Sequence, residues 1–146
     1  MKAALITIKE ISVNYGNSLQ NYAAKKVLED LGCEVDTLVF TYNRIGLVKN
    51  RVKYLLYNTV AHRPEKRLNW GIKPLKIKRF QEFHKKFCPP TYIKRLENLN
   101  TKYDFFVIGS DQVWNPNWYY THPLKKDMYL LTFARPEQKV CMAPSF

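Results

Sequence analysis

The sequence predicts a three-layer α/β domain with a mostly parallel sheet. An apolar run, Ala3–Ile8, opens the chain and is followed by a polar loop and a helical pattern. A second run, Glu34–Phe40, follows that helix after a glycine. The chain has 146 residues, of which 46% are hydrophobic, and this is enough for one compact core. We therefore expect a single domain over residues 1–146.

The first forty residues predict a strand–helix–strand unit. Ala3–Ile8 is apolar and partly β-branched, as in a strand covered on both faces. Asn17 or Ser18 can cap the next helix, and Gly32 can end it. Six apolar positions of this helix fall on one stripe, as in an amphipathic helix: Leu19, Tyr22, Ala23, Val27, Leu28 and Leu31. The two strands should be parallel with a right-handed crossover.

The middle of the chain is basic and reads as helical. Residues 44–95 carry fifteen Lys or Arg against two Glu, which leaves +13 in this segment and −1 elsewhere. Apolar residues recur at helical steps over positions 45–60, and a further helix covers 75–87 until prolines 89–90 stop it. Its three phenylalanines share one side, which indicates core packing: Phe80, Phe83 and Phe87. The segment should attract anions, namely nucleic acid, an acidic membrane surface or anionic substrates.

The last third of the chain predicts further strands. Tyr103–Ile108 is apolar on both faces, and Met128–Phe133 fits a short strand or a helical turn. Lys139–Phe146 begins as a strand and then stops. Together the elements predict a Rossmann-type fold. A last strand without its following helix suggests that the chain is part of something larger.

Cysteine and histidine usage argues against several kinds of site. The three cysteines are scattered without a CxxC pair, which indicates neither a disulfide framework nor a zinc site, and a reducing cytoplasm fits best. The three histidines are isolated from other metal-ligating residues. We expect no metal and no cofactor, and we assign no catalytic residue. The six-residue opening run is short for a signal peptide.

The first polar cluster, "NYGNSLQN", follows the first strand. In open parallel sheets, ligands bind beyond the carboxyl ends of the strands. Gly16 allows a left-handed or close-approach backbone, and the helix start directs free N–H groups outward. Four residues are therefore candidates for substrate binding: Asn14, Gly16, Asn17 and Gln20. The alternative is a capped helix after an ordinary turn.

The second polar cluster, "GSDQVWNP", follows the strand "YDFFVI". Gly109 should let the chain turn sharply out of the strand, and Ser110 or Asp111 can cap a following helical turn. Side-chain amides suit hydroxyl groups, and the Trp114 and Trp118 rings offer a flat surface to a sugar. Six residues are candidates for substrate binding: Gly109, Ser110, Asp111, Gln112, Trp114 and Asn115. The alternative is a capped turn with its tryptophans in the core.

Three stretches together resemble the polysaccharide pyruvyl transferase family: "NYGNSLQNYAAKKVLEDLGCEVDTLVF", "YDFFVIGSDQVWNP" and "YLLTFARPEQKVCMAPSF". The Gly-Ser-Asp-Gln-x-Trp-Asn motif is the most specific part. The resemblance implies transfer of a pyruvyl group from phosphoenolpyruvate to a sugar hydroxyl pair of a cell-surface polysaccharide. It also implies a fold similar to two-domain glycosyltransferases of the GT-B type. This chain would be the N-terminal, substrate-side half, and we expect it to be inactive alone.

Two other functions stay open. One is a non-catalytic module that binds a polysaccharide or a protein partner. The other is nucleic-acid binding, which the basic segment motivates. It is the less favoured one, because the basic residues alternate with aliphatic ones and no RNA-binding signature is present. The expected partners are phosphoenolpyruvate, a sugar acceptor and an anionic membrane surface, with a homo-oligomer built over an exposed apolar face. The expected location is the cytoplasm, at the inner face of the membrane.

Overall fold

The computed structural model describes residues 1–8, 14–40, 72–115 and 123–145. The strands are β1 (Lys2–Ile6), β2 (Glu34–Phe40), β3 (Pro90–Ile93), β4 (Phe105–Asp111) and β5 (Lys139–Pro144). The helices are α1 (Tyr15–Asp30), α2 (Ile72–Phe87) and α3 (Pro123–Leu130), with short 3-10 helices at Leu99–Thr101 and Pro136–Gln138. The helix predicted over positions 45–60 and Trp118 lie outside the described residues.

The five described strands form one parallel sheet in the order β3-β2-β1-β4-β5. In this register Leu5 of β1 pairs with Thr37 on one side and Val107 on the other. The α/β Rossmann-like fold is therefore confirmed. The chain first builds outward from β1 through β2 to β3, and then returns to the other side of β1 for β4 and β5. This reversal makes the carboxyl ends of β1 and β4 the topological switch point of the sheet.

Alternate residues of the central strands enter two separate cores. On one face Leu5 packs in a cluster with Leu28 of α1. On the other face Ile6 packs in a cluster with Met128 of α3. Successive strand residues point to opposite faces, so continuous apolar runs are what a sheet covered on both sides requires. Phe106 is fully buried, and its truncation to Ala should cost about 3–5 kcal/mol.

Helix α1 buries a different stripe from the predicted one. The buried residues are Ser18, Asn21, Ala24 and Leu28. Three members of the predicted stripe are instead more than half exposed: Leu19, Val27 and Leu31. Polar residues can face the sheet because each has a hydrogen-bond partner, in β2 for Asn21 and at the helix start for Ser18. Thr37 Oγ1 donates to Asn21 Oδ1 at 3.4 Å, and Ser18 Oγ donates to the Asn14 carbonyl at 3.0 Å.

Helix α2 packs beside α1 through aromatic rings. The Tyr15 and Phe80 ring centroids are 4.7 Å apart, while Tyr22 lies 6.0 Å from Phe83 and 5.5 Å from Phe87. These contacts advance in step along both helices, so the helices run side by side in the same direction. The phenylalanine stripe does pack, as predicted, but it packs between helices, and Phe87 stays 38% exposed.

Two smaller predictions agree with the structure, and one strand was missed. Helix α2 ends at Phe87, as predicted, but the residues after the prolines form β3, which was not predicted. Pro90 is tolerated there because it is the first residue of an edge strand. For Met128–Phe133 the helical alternative holds up to Leu130, where α3 ends.

In the part of the chain that the structure describes, no helix is long and apolar enough to cross a membrane. Within the same residues no three His, Cys, Asp or Glu side chains lie together as metal ligands would. All three cysteine thiols are free, and Cys141 is exposed.

Candidate functional site

The two polar clusters flank the switch point. Ile6 of β1 pairs with Ile108 of β4, so Thr7 and Gly109 follow side by side at the carboxyl edge. Helix α1 begins at Tyr15 on the chain that leaves β1, and residues 112–115 follow β4. We refer to Thr7, residues 14–20 and residues 109–115 as the rim. Both predicted clusters therefore belong to one edge of the sheet, on adjacent strands.

Asn14 caps α1, so the prediction of Asn17 or Ser18 as the cap is wrong. Asn14 has an extended backbone, and its Oδ1 accepts from the Gly16 N–H at 2.9 Å and the Asn17 N–H at 3.5 Å. Gly16 is not left-handed, because it lies in the first helical turn. A Cβ there would lie 3.3 Å from Asn14 Oδ1, so the glycine leaves room for the capping side chain.

Asn17 and Gln20 keep their amide groups available. Asn17 is half-buried and Gln20 is exposed. Among the described residues, neither side chain makes a hydrogen bond within the protein. The first turn of α1 contains no acidic residue, so no carboxylate of this turn offsets the positive end of the helix. This end of the rim can therefore accept an anionic group or a hydroxyl.

Thr7 is a rim residue that sequence reasoning missed. It is only 5% exposed, and in the part of the chain described here its Oγ1 has no hydrogen-bond partner. It follows β1 directly, and by strand alternation it continues the face of Leu5, which packs against α1. An unpartnered buried hydroxyl costs roughly 1–3 kcal/mol. The signal in the sequence was one hydroxyl at the end of an apolar run.

Gly109 serves strand packing instead of a turn. Strand β4 continues to Asp111, so the predicted sharp exit at Gly109 is wrong. Gly109 has φ of +134°, and a Cβ there would lie 1.9 Å from the Met142 carbonyl oxygen of β5. The glycine therefore permits close approach of the two strands. Ser110 and Asp111 belong to the same strand, with Asp111 in register with Pro144, and their side chains lie outside the description.

The turn after β4 is held by its own side chains. Asn115 donates from its backbone N–H to the Gln112 carbonyl at 3.0 Å, and from Nδ2 to Gln112 Oε1 at 3.2 Å. The Trp114 indole donates to the Tyr129 carbonyl at 3.2 Å, and its ring packs against the core that contains Met128. Gln112 remains exposed, so its amide NH₂ can still donate to a ligand.

A family model described as polysaccharide pyruvyl transferase matches residues 14–146. The match begins at the residue that caps α1, and it spans both polar clusters. The chain belongs to the polysaccharide pyruvyl transferase family. No curated protein and no solved structure was found to match it. The family therefore indicates the class of reaction, while the placement of residues comes from the geometry of the rim.

This member of the pyruvyl transferase family also contains a polar pair of side chains that no sequence pattern indicated. Ser18 Oγ lies 3.0 Å from His84 Nε2, although the two residues are 66 positions apart. Because Ser18 Oγ also bonds the Asn14 carbonyl, the pair ties the start of α1 to α2. Only the packing of the two helices brings Ser18 and His84 together, so sequence spacing carried no signal for it.

Proposed function

We propose that this chain supplies the substrate-side wall of a site that transfers a pyruvyl group from phosphoenolpyruvate to a sugar. The acceptor is a pair of hydroxyl groups on a cell-surface polysaccharide. Family membership supports the reaction class. One observation carries the location: the two polar clusters and the unpartnered Thr7 hydroxyl occupy the switch point between β1 and β4.

The proposed reaction makes clear demands on such a wall. Two sugar oxygens form bonds to C2 of the enol, the C2–O bond to phosphate breaks, and the methylene takes up a proton to become a methyl group. Phosphate leaves with the second hydroxyl proton. Two neighbouring hydroxyls must therefore be held in one orientation, which suits the amides of Asn17 and Gln20 beside the Thr7 hydroxyl. The positive end of α1 favours an anionic substrate group.

We further propose that the domain is one half of a GT-B-like arrangement that works in the cytoplasm, at the inner face of the membrane. The charge of +13 on residues 44–95 supports attraction to anionic surfaces and substrates. No donor-side group is assigned to a residue of this chain. The expected result for the chain by itself is therefore binding without turnover.

A titration tests the proposed wall. Phosphoenolpyruvate and a galactoside acceptor are added to the 146-residue chain, and binding is followed by NMR. Gln20→Ala should weaken acceptor binding by about 5- to 10-fold, which is what one lost hydrogen bond is worth. Gln81→Ala is the matched control, because Gln81 is an exposed glutamine on α2, and it should change nothing.

Two results would contradict this proposal. Acceptor binding that is the same for Gln20→Ala and wild type would remove the rim as the acceptor wall. Formation of the pyruvyl ketal by the chain alone, seen by mass spectrometry, would show that the expected inactivity is wrong.

A further inference from the structure

We propose that a groove between α1 and α2 docks this protein on an anionic phospholipid membrane. The groove has a volume of about 420 Å³. Its principal lining residues are Tyr15, Leu19, Leu75, Lys76, Arg79 and Phe80. It shares the start of α1 with the rim, but it opens between α1 and α2, and its lining contains neither Thr7 nor residues 109–115. The inference rests on the proposed location at the inner face of the membrane and names the surface that makes the contact.

The groove exposes large apolar side chains to solvent. Leu19 is 57% exposed and Leu75 is 52% exposed, although both lie beside the aromatic contact between the helices. Ser18 also lines the groove, but its hydroxyl already hydrogen-bonds with the Asn14 carbonyl and with His84. The groove lining therefore offers mainly apolar surface, so the part of a ligand that enters the groove should be apolar.

The charged residues at the groove are all cationic. Lys76 Nζ lies 4.8 Å from the centroid of the Tyr15 ring, and Arg79 is exposed beside it. In the described residues neither cation has a carboxylate within ion-pair distance, and Glu82, the sole acidic residue of α2, lies 3.9 Å from Lys78. Six Lys or Arg stand against this one Glu in α2. The cations are thus free to attract anions.

Apolar side chains beside unneutralised cations match the chemistry of a phospholipid surface. Leu19 and Leu75 can enter the acyl boundary while Lys76 and Arg79 contact phosphate groups. A nucleic acid would use the cations but leave the leucines in water. A neutral apolar partner would bury the leucines but gain nothing from the cations. An anionic membrane uses both features.

Vesicle flotation tests the groove. The 146-residue chain is mixed with vesicles of phosphatidylcholine alone, or of phosphatidylcholine with phosphatidylglycerol, and the bound fraction is measured. The chain should bind the anionic vesicles and not the neutral ones, and added salt should weaken binding. The Lys76→Glu/Arg79→Glu variant should lose at least 10-fold in vesicle affinity, since each basic residue near the surface contributes about 5-fold. Leu19→Ser/Leu75→Ser should lose about 10-fold or more.

Matched variants decide whether the groove itself is responsible. Lys94→Glu/Arg95→Glu makes the same change in charge at exposed positions after β3, and Leu31→Ser changes an exposed leucine at the far end of α1. Both should bind like wild type, and circular dichroism should show all variants folded. Any of three results would overturn the proposal: no binding to anionic vesicles, unchanged binding by either groove variant, or an equal loss of binding in the matched variants. Because neither pyruvyl transfer nor acceptor binding is measured, failure here would remove the groove as the membrane contact and leave the pyruvyl-transfer proposal untouched.

Discussion

The two edges of the sheet differ in how many of their polar side chains have hydrogen-bond partners within the protein. At the amino edge, Asp36 accepts from the Tyr103 hydroxyl at 2.9 Å and from Thr91 Oγ1 at 3.2 Å. Asp36 also lies 3.4 Å from Lys2 Nζ, while the Lys2 backbone N–H donates to Asp104 at 2.6 Å. The polar side chains of this edge are thus partnered within the protein, and the edge is a closed network that holds three strands together.

At the carboxyl edge several polar groups lack such partners. Within the described ranges, the Thr7 hydroxyl and the Asn17 and Gln20 amides make no hydrogen bond inside the protein. A buried polar group without a partner costs free energy, which a ligand that hydrogen-bonds to it can recover. Threonine shows the difference most simply: Thr91 donates to Asp36 at the amino edge, whereas Thr7 at the carboxyl edge has no hydrogen-bond partner among the described residues.

The largest expected effect comes from breaking the rim by separating β4 from β5. Gly109→Ala places a Cβ 1.9 Å from the Met142 carbonyl oxygen and at a φ of +134°, so it should destabilise the fold by about 3 kcal/mol or more. Gly32→Ala is the matched control, because Gly32 also has a positive φ but open space around it. It should cost only about 1 kcal/mol. Urea unfolding measures both, and equal costs would contradict the close-approach account.

The next largest effect tests whether the polar network of the amino edge stabilises the fold without affecting ligand binding. Tyr103→Phe removes the hydroxyl that donates to Asp36, and it should cost about 1–2 kcal/mol of unfolding free energy without changing ligand affinity. Urea unfolding and the same acceptor titration measure the two quantities. A loss of ligand affinity in this variant would show that the two edges are not separate in function.

The contribution of the Tyr103 hydroxyl to stability depends on pH, and this dependence follows from the pKa of Tyr103. Burial, and then the hydrogen bond to Asp36, raise this pKa above its usual value. The folded state therefore favours the neutral phenol. Its contribution to stability is fully present below about pH 10, the pKa of an unfolded tyrosine, and is lost as pH rises through the folded-state pKa. The stability difference between wild type and Tyr103→Phe should shrink above about pH 10, and a constant difference would contradict this cause.

Two threonines allow the partnered and the unpartnered hydroxyl to be compared at single positions. Thr7→Val removes an unpartnered hydroxyl, so it should leave stability unchanged or raise it by up to about 1 kcal/mol, yet weaken acceptor binding by about 5- to 10-fold. Thr37→Val instead removes the partner of Asn21 and should destabilise by about 1–2 kcal/mol without affecting binding. Thermal unfolding and the acceptor titration distinguish the two. Destabilisation by Thr7→Val would show that its hydroxyl already has a role in the fold.

Local pattern was enough for the strands β1, β2, β4 and β5 and for the edge at which the clusters lie, but it missed β3. Apolar runs such as Ala3–Ile8 and Tyr103–Ile108 define strands by themselves, and the residues after them must lie at carboxyl ends. The buried face of α1 was not predictable in this way. Asn21 faces the sheet because its side chain accepts a hydrogen bond from Thr37 of β2. This pairing exists only once β2 is in place.

The site was predictable as a region, and its individual roles were not. Asn14 was identified as a candidate, but its capping role depends on the exact start of α1. Gly109 was identified for a turn, while its function depends on the close approach of Met142 from β5. Thr7 appeared to be one more strand residue, because the absence of a hydrogen-bond partner is a property of the folded chain.

The proposed function requires ligand to bind at the carboxyl edge between β1 and β4. A crystal structure of the chain soaked with phosphoenolpyruvate and a phosphosugar tests it most directly. The account predicts ligand density between Thr7, Ser110 and the start of α1, with the Thr7 hydroxyl in hydrogen-bond contact. Density at the Asp36 network of the amino edge, or a rim that stays empty at saturating ligand, would contradict it.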